Sequence, residues 1–205
     1  MVKKTKKHNG VKSIIAVYNL ASQADINSGL DWYRSANSYA QQLSEIYSID
    51  RLTIVAVIAS LSPRNKWERN KIDAESMIKV FSSGGNLDDL LNLKVCTFGA
   101  GKKKAARILV NNITNRDELL TVLNGPKLQE FFNCIAGESD DVCIDGHAYS
   151  VWLGDRITLA NVPSIGVKLR RNIKADYQSA ARMIGIKTYE LQAITWVCWR
   201  RIHEV

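Results

Sequence analysis

Residues 52–61, with the sequence LTIVAVIASL, constrain how this chain can fold more than any other feature. Arranged as a helix, the run is apolar on every side, and a helix of that kind has to be buried among other elements. Asp50 stands where an N-cap is needed, and Ser62-Pro63 ends the run because the residue before a proline avoids helical torsions. Composition alone would also suit a buried strand. The cap and the stop favour a short central helix wrapped by other helices.

The rest of the chain has few residues that break helices. Only 3 prolines and 12 glycines occur in 205 residues, which suits long helices better than many tight strand turns. The clearest breaks are expected at residues 99–101, 124–126 and 137–139. Hydrophobic periodicity predicts further helices over residues 32–47, 67–81, 87–93, 102–111, 117–123, 126–136, 147–153, 175–184 and 189–202. We therefore predict a compact all-α domain over residues 13–205, with eight to ten helices in one or two lobes.

The charge is distributed unevenly along the chain. Lys and Arg total 28 while Asp and Glu total 20, which gives a net charge of +8. Residues 1–12 contain five lysines and no acidic residue, so residues 13–205 carry +8 minus +5, or +3. We predict that residues 1–12 form a flexible basic arm. The sign of the charge favours an anionic partner, with nucleic acid as the first candidate.

The beginning of the chain does not have the pattern of a secretory signal. The stretch SIIAVYNLASQADI is short, and Asn19, Gln23 and Asp25 interrupt its apolar character. We expect a monomer without a membrane contact, in the cytoplasm of a bacterial or phage-infected host cell.

The cysteine spacing argues against a metal centre. Cys96, Cys134, Cys143 and Cys198 form no CxxC pair and do not have the spacing of zinc or iron–sulfur ligands. We expect four reduced, mostly buried thiols, no metal and no cofactor.

The segment 123–154, LNGPKLQEFFNCIAGESDDVCIDGHAYSVWLG, carries a family resemblance. Gly125 opens a predicted helix, Lys127 follows it, and Asp145 and His147 stand at the start of the next predicted helix. The separation of Lys127 from Asp145 is 145 minus 127, or 18 positions. This arrangement resembles the helix-hairpin-helix DNA glycosylases (HhH-GPD), the superfamily of endonuclease III and adenine glycosylase. Residues 52–155 resemble that family in register, in a short phage-type form without the iron–sulfur cluster.

The resemblance implies an enzyme that flips a modified or mispaired base out of DNA and hydrolyses its N-glycosidic bond. Cleavage passes through a cationic sugar, and a fixed carboxylate can both stabilise that cation and orient water. Asp145 occupies the position of the family's catalytic aspartate. Lys127 occupies that of the Schiff-base lysine of lyase-competent members, and contact with a phosphate is the alternative role. His147 is expected to pack or hydrogen-bond near Asp145.

The resemblance also indicates residues that contact double-stranded DNA. The turn after residues 52–61 corresponds to the family's base-probing turn, and Gly125 belongs to the hairpin. A more literal hairpin, Gly99-Ala100-Gly101, precedes Lys103, but Lys103 lies 145 minus 103, or 42, positions before Asp145. Further basic clusters occur at Lys168, Arg170, Arg171 and Lys174, and at Arg200 and Arg201. The candidate DNA-contacting and base-contacting residues are Ser62, Arg64, Asn65, Trp67, Lys102, Lys103, Lys104, Gly125 and His147.

Two other functions fit the same residues. One is a DNA-base hypermodification enzyme of the phage pyrophosphorylase type, acting on a modified thymine in DNA modification instead of DNA repair. The other is a non-catalytic DNA-binding module in which Asp145 only caps a helix.

Overall fold

The computed structural model of the chain describes residues 8–137 and 139–204. All regular secondary structure in this part of the chain is helical, which confirms the all-α prediction. Eleven α-helices occur there, against the eight to ten expected, and a single 3-10 turn spans Leu159–Asn161. The helices are α1 (Gly10–Asn19), α2 (Gln23–Tyr47), α3 (Arg51–Leu61), α4 (Trp67–Ser82), α5 (Leu87–Asn92), α6 (Gly99–Val110), α7 (Arg116–Leu123), α8 (Pro126–Ala136), α9 (Gly146–Leu153), α10 (Val167–Ile184) and α11 (Thr188–His203).

Helix α3 is the buried helix that the apolar run predicts. The carboxylate of Asp50 accepts hydrogen bonds from the backbone N–H groups of Leu52 and Thr53, at 2.9 and 3.1 Å. Every residue from Thr53 to Leu61 is buried, and Ser62 is the C-cap. The N-cap and the helix end therefore lie where the sequence indicates.

Periodicity does not predict helix α1, and helices α2, α6 and α10 begin well before their predicted starts. Helix α1 begins at Gly10, so residues 10–12 of the predicted flexible arm are helical, while residues 1–7 of that arm lie outside the described residues. Burial of Ile14 and Val17 stabilises this helix despite the lysines before it. Helices α2 and α10 begin at Gln23 and Val167, before their predicted starts. Residues 99–101 are the first turn of α6 and not a break, because glycine is tolerated where a helix begins.

The chain divides into two compact units. The first consists of Met1–Arg34 and Ser139–Val205, and the second of Ser35–Glu138. In the first unit, α1, α9, α10 and α11 pack around a core that includes the buried side chains of Trp152 and Tyr177. In the second, α3 lies at the centre and contacts α4, α6, α7 and α8.

Three of the four cysteines are buried. These are Cys134, Cys143 and Cys198, while Cys96 is exposed, so the prediction of mostly buried thiols is confirmed.

No helix within the described ranges combines the length and the hydrophobicity needed to cross a membrane.

An ion pair joins α2 to α11 inside the first unit. Both carboxylate oxygens of Asp25 lie close to Nε of Arg201, at 3.1 and 2.9 Å, and Arg201 also donates to the carbonyl oxygen of Leu20. The hydrogen bond from Arg201 lowers the pKa of Asp25, although burial of the carboxyl opposes that change.

This pair predicts acid sensitivity. A carboxyl whose pKa is lower in the folded state stabilises the fold above its unfolded pKa, and this contribution is lost as the pH falls through the folded value. We expect the unfolding temperature of the wild-type chain to exceed that of Asp25→Asn at pH 7. The difference should shrink as the pH is taken from 5 down to 2. A difference that stays constant over this range in parallel thermal melts would contradict the prediction.

Candidate functional site

Three aspartates attach the irregular segment 140–145 to three different helices of the first unit. Asp140 uses both carboxylate oxygens to accept from Thr188 at the start of α11, at 2.6 Å from the backbone N–H and 2.8 Å from the hydroxyl. Asp141 is buried, and its Oδ1 accepts from Nζ of Lys174 in α10 at 2.6 Å. Asp145 is the N-cap of α9, the role that the sequence predicts for it.

The carboxylate of Asp145 is engaged through one oxygen only and, unlike that of Asp141, has no ion-pair partner among the described residues. Oδ1 accepts from the backbone N–H of Ala148 at 2.8 Å. Among the residues that the structure describes, none donates a hydrogen bond to Oδ2. The residue is half-buried. Asp145 is thus a carboxylate of fixed orientation with one oxygen left for a ligand.

The surroundings of Asp145 are formed by α10, α11 and the connection between α9 and α10. Tyr177 is fully buried and donates to the carbonyl oxygen of Ala148 at 3.4 Å. Burial raises the pKa of Tyr177, and the negative charge of Asp145 adds to this increase. The ring of His147, two positions after Asp145 in the sequence, meets the ring of Trp196 edge-on, with centroids 6.3 Å apart, so His147 packs against α11.

Two residues that the sequence did not connect with this site lie against it. Leu159 approaches the first residue of α9 so closely that a Cβ on Gly146 would lie 2.6 Å from Cδ2 of Leu159. Arg170 donates from Nη1 to the carbonyl oxygen of Ile144 at 3.2 Å. An apolar and a cationic side chain therefore border the start of α9.

Lys127 lies in the second unit, at the second residue of α8. The two-residue turn before the helix requires Gly125, whose φ is 135°, and Asn124 also has a positive φ of 38°. Pro126 occupies the first helical position, as predicted. The side chain of Lys127 is exposed. Exposure suits contact with a phosphate better than the buried setting that helps a lysine act as a nucleophile.

Two of the three candidate DNA-contacting lysines in α6, Lys102 and Lys104, bind protein carbonyl groups. Nζ of Lys102 donates to the carbonyl oxygens of Leu91 and Leu93, at 2.6 and 3.0 Å, at the end of α5. Nζ of Lys104 donates to those of Leu123 and Asn124 at the end of α7, and burial lowers its pKa. A cation at a helix C-terminus stabilises the helix dipole. Of these three lysines, only Lys103 is exposed.

The predicted base-probing turn connects α3 to α4 in the second unit. Ser62 donates its hydroxyl to the carbonyl oxygen of Ala59 at 2.9 Å. Arg64 is exposed with a φ of 55°, a conformation that is uncommon for a residue other than glycine. Its guanidinium carbon lies 5.0 Å from the centroid of the Phe98 ring, and Phe98 is itself half-exposed. No pattern in the sequence indicates that Phe98, the residue before α6, packs against this turn.

The amide nitrogen of Asn65 is engaged inside the protein. Nδ2 donates to the carboxylate of Asp73 at 3.0 Å and to the carbonyl oxygen of Leu61 at 3.3 Å. Asp73 is buried and also accepts from Nε of Arg69 and the backbone N–H of Cys96, both at 2.8 Å. Asn65 therefore holds the turn on α4 in this structure and does not present its amide nitrogen to a base.

Trp67 is half-buried at the first residue of α4. Nζ of Lys71 lies 5.8 Å from the centroid of its ring, within the range of a cation–π contact. The indole thus has a structural contact on α4 itself.

The remaining basic residues separate into structural and exposed ones. Lys174 and Arg201 form the ion pairs with Asp141 and Asp25. The guanidinium carbon of Arg200 lies 4.6 Å from the centroid of the Trp196 ring. Lys168 and Arg171 are exposed. Within the described residues, no group of three His, Cys, Asp or Glu side chains is placed to hold a metal ion.

Comparison with known proteins identifies the family of the chain. No curated protein and no solved structure matches the chain significantly. Residues 1–203 match a family of unknown function, DUF7178. The match covers nearly the whole chain, and the protein therefore belongs to the DUF7178 family.

Proposed function

We propose that this protein is a DNA glycosylase that hydrolyses the N-glycosidic bond of a modified or mispaired nucleotide with Asp145. The observation that carries the proposal is the contrast among the three aspartates of segment 140–145. Asp140 uses both oxygens, and Asp141 is neutralised by Lys174, but Asp145 keeps Oδ2 without a donor among the described residues. A carboxylate that the fold holds in place, with one oxygen available to a substrate, suits the glycosidic hydrolysis that the resemblance implies.

The proposed reaction uses the negative charge of Asp145 at the sugar. The bond between the anomeric carbon and the base nitrogen breaks, its electron pair leaves with the base, and the sugar becomes cationic. A carboxylate already fixed in place stabilises that cation without having to reorient. Water then adds to the anomeric carbon and gives up one proton to Asp145. The departing base takes a proton from solvent and Asp145 returns its proton to solvent, so one water molecule is consumed overall. The products are a free base and an abasic site.

The α9 helix supports this role of Asp145. Its N–H groups and its dipole favour negative charge at the N-terminus. The hydrogen bond from Ala148 fixes Oδ1, and the packing of Tyr177 against the carbonyl group of Ala148 fixes the first turn of α9. The position of Oδ2 is thereby set by groups that do not take part in the reaction.

The proposal predicts hydrolysis without a covalent enzyme–DNA intermediate. Exposed at the start of α8, Lys127 is assigned to a phosphate contact. Borohydride reduction during turnover should therefore trap no covalent complex, and Lys127→Gln should raise KM several-fold while changing kcat less than about threefold. A trapped complex that disappears in Lys127→Gln would instead establish lyase chemistry.

The activity is tested with duplexes that each carry one candidate base, including hydroxymethyluracil and its derivatives. After incubation with the purified chain, hot alkali should cleave at least one duplex at the modified position, because an abasic site is alkali-labile. An unmodified duplex of the same sequence is the control. Failure across a broad panel of modified and mispaired bases would count against the proposal.

A further inference from the structure

Residues 155–171, which we term the 155–171 segment, connect α9 to α10 and include the first turn of α10. Four apolar side chains of the segment are partly buried against the core of the first unit, namely Ile157, Val162, Ile165 and Leu169. Leu159 and Val167 instead remain 62% and 78% exposed. The segment is therefore anchored to the core yet presents two large apolar side chains to solvent.

The exposed charges of the 155–171 segment are mainly positive. Arg156, Lys168 and Arg171 are exposed, and none of them has an ion-pair partner among the described residues. Asp155 is the one acidic residue in the segment. Lys168 and Arg171 are three positions apart in α10, a spacing that places their side chains on the same side of the helix.

The segment borders the proposed catalytic aspartate within the same unit. Leu159 and Val162 both approach Gly146, with side-chain carbons 2.6 and 3.4 Å from the position of a Cβ there. Arg170, at the other end of the segment, donates to the carbonyl oxygen of Ile144. The segment thus contacts the residues on both sides of Asp145 in the sequence, and Leu159 connects its exposed surface to the start of α9.

We propose that the 155–171 segment is a contact surface for double-stranded DNA beside Asp145. Lys168, Arg171 and Arg156 bind backbone phosphates, and Leu159 and Val167 make apolar contacts with the exposed faces of sugars and bases. The inference rests on the proposed action on DNA. Charge complementarity selects the partner, because a polyanion matches three unpaired cations, whereas the centre of a protein interface is depleted of charged residues.

The test measures binding of a fluorescein-labelled 20-base-pair duplex of ordinary sequence by anisotropy. All variants carry Asp145→Asn, so that turnover does not affect the measurement. The double variant Lys168→Gln/Arg171→Gln is compared with Arg182→Gln/Lys187→Gln, which removes the same charge from exposed positions at the far end of α10 and just beyond it. Val167→Ser is compared with Met183→Ser, since Met183 is 72% exposed in the same helix.

Loss of the two phosphate contacts should weaken binding on the order of 10- to 30-fold at 0.15 M salt and reduce the salt slope, the change of log K with log salt, by about 2. The matched control should change binding less than about threefold. Val167→Ser should weaken binding several-fold without changing the salt slope, and Met183→Ser should have no effect. If the two double variants lose the same amount of binding affinity, or if neither loses any, the inference is overturned.

Vesicles containing phosphatidylserine separate a lipid surface from DNA. If Lys168→Gln/Arg171→Gln abolishes binding to these vesicles but leaves duplex binding intact, the inference is wrong. Base release separates this inference from the proposed function. Release is measured with the wild-type chain, which keeps Asp145. If Lys168 and Arg171 contribute to duplex binding but the wild-type chain releases no base, the proposed function is refuted and the contact surface is retained. If the wild-type chain releases a base but Lys168→Gln/Arg171→Gln does not weaken duplex binding, only the contact surface is refuted.

Discussion

Asp145→Asn should reduce base release by about 100- to 1000-fold, the usual cost of removing one preorganised electrostatic contact to a transition state. The substitution removes the negative charge but keeps an oxygen that can accept from the backbone N–H of Ala148. Since asparagine caps helices about as well as aspartate, the unfolding temperature should change little. Duplex binding should stay within about threefold, because the side chain contributes no positive charge to phosphate contacts.

Asp140→Asn is the matched control for this prediction. Both oxygens of Asp140 accept from Thr188, so this change should lower the unfolding temperature. Activity per folded molecule should remain near that of the wild-type chain. Equal loss of activity in Asp140→Asn and Asp145→Asn, measured under conditions where both are folded, would show that Asp145 has no special role.

Gly29→Ala should destabilise the first unit more than any single surface change. A Cβ on Gly29 would lie 2.5 Å from the Cα and the backbone nitrogen of Ile194, so α2 and α11 would have to separate. Backbone atoms cannot move aside as a flexible side chain can. We expect a loss of about 3 kcal/mol in the free energy of unfolding, at the upper end of the cost of overpacking a core.

Denaturant titration measures this effect, with Gly99→Ala as the control. A Cβ on Gly99 would meet nothing within 4 Å, and alanine favours a helix more than glycine does. Gly99→Ala should therefore leave stability unchanged or raise it by up to about 1 kcal/mol. If Gly29→Ala unfolds at the same denaturant concentration as the wild-type chain, the close approach of α2 to α11 is wrong.

The parts of the fold that local chemistry determines could be predicted from the sequence. The bounds of α3 follow from its apolar run and from Asp50. Those of α8 follow from Pro126 and from the glycines that precede and follow the helix, Gly125 and Gly137. Helix α1 could not be predicted in the same way. Its stability depends on burying Ile14 and Val17 against residues that are distant in the sequence, and the lysines before it suggested a flexible arm.

The candidate site shows the same division. The cap formed by Asp145 follows from its place before α9. The contacts of Tyr177, Arg170 and Leu159 depend on tertiary packing, which no local pattern indicates. For Lys102 a local pattern was misleading. The run of lysines predicts contact with DNA, but the ammonium group of Lys102 binds backbone carbonyl groups that have no partner within α5 at its end.

Mass spectrometry of DNA before and after treatment with the purified protein tests the central claim most directly. Genomic DNA that contains modified thymines serves as substrate, and both the released small molecules and the digested nucleosides are measured. The proposed function predicts that one free base appears in solution, that abasic sites appear in equal amount, and that Asp145→Asn produces neither. A nucleoside whose base changes in mass while it stays attached to the sugar, with no abasic sites, would contradict glycosylase activity and identify a base-modifying enzyme.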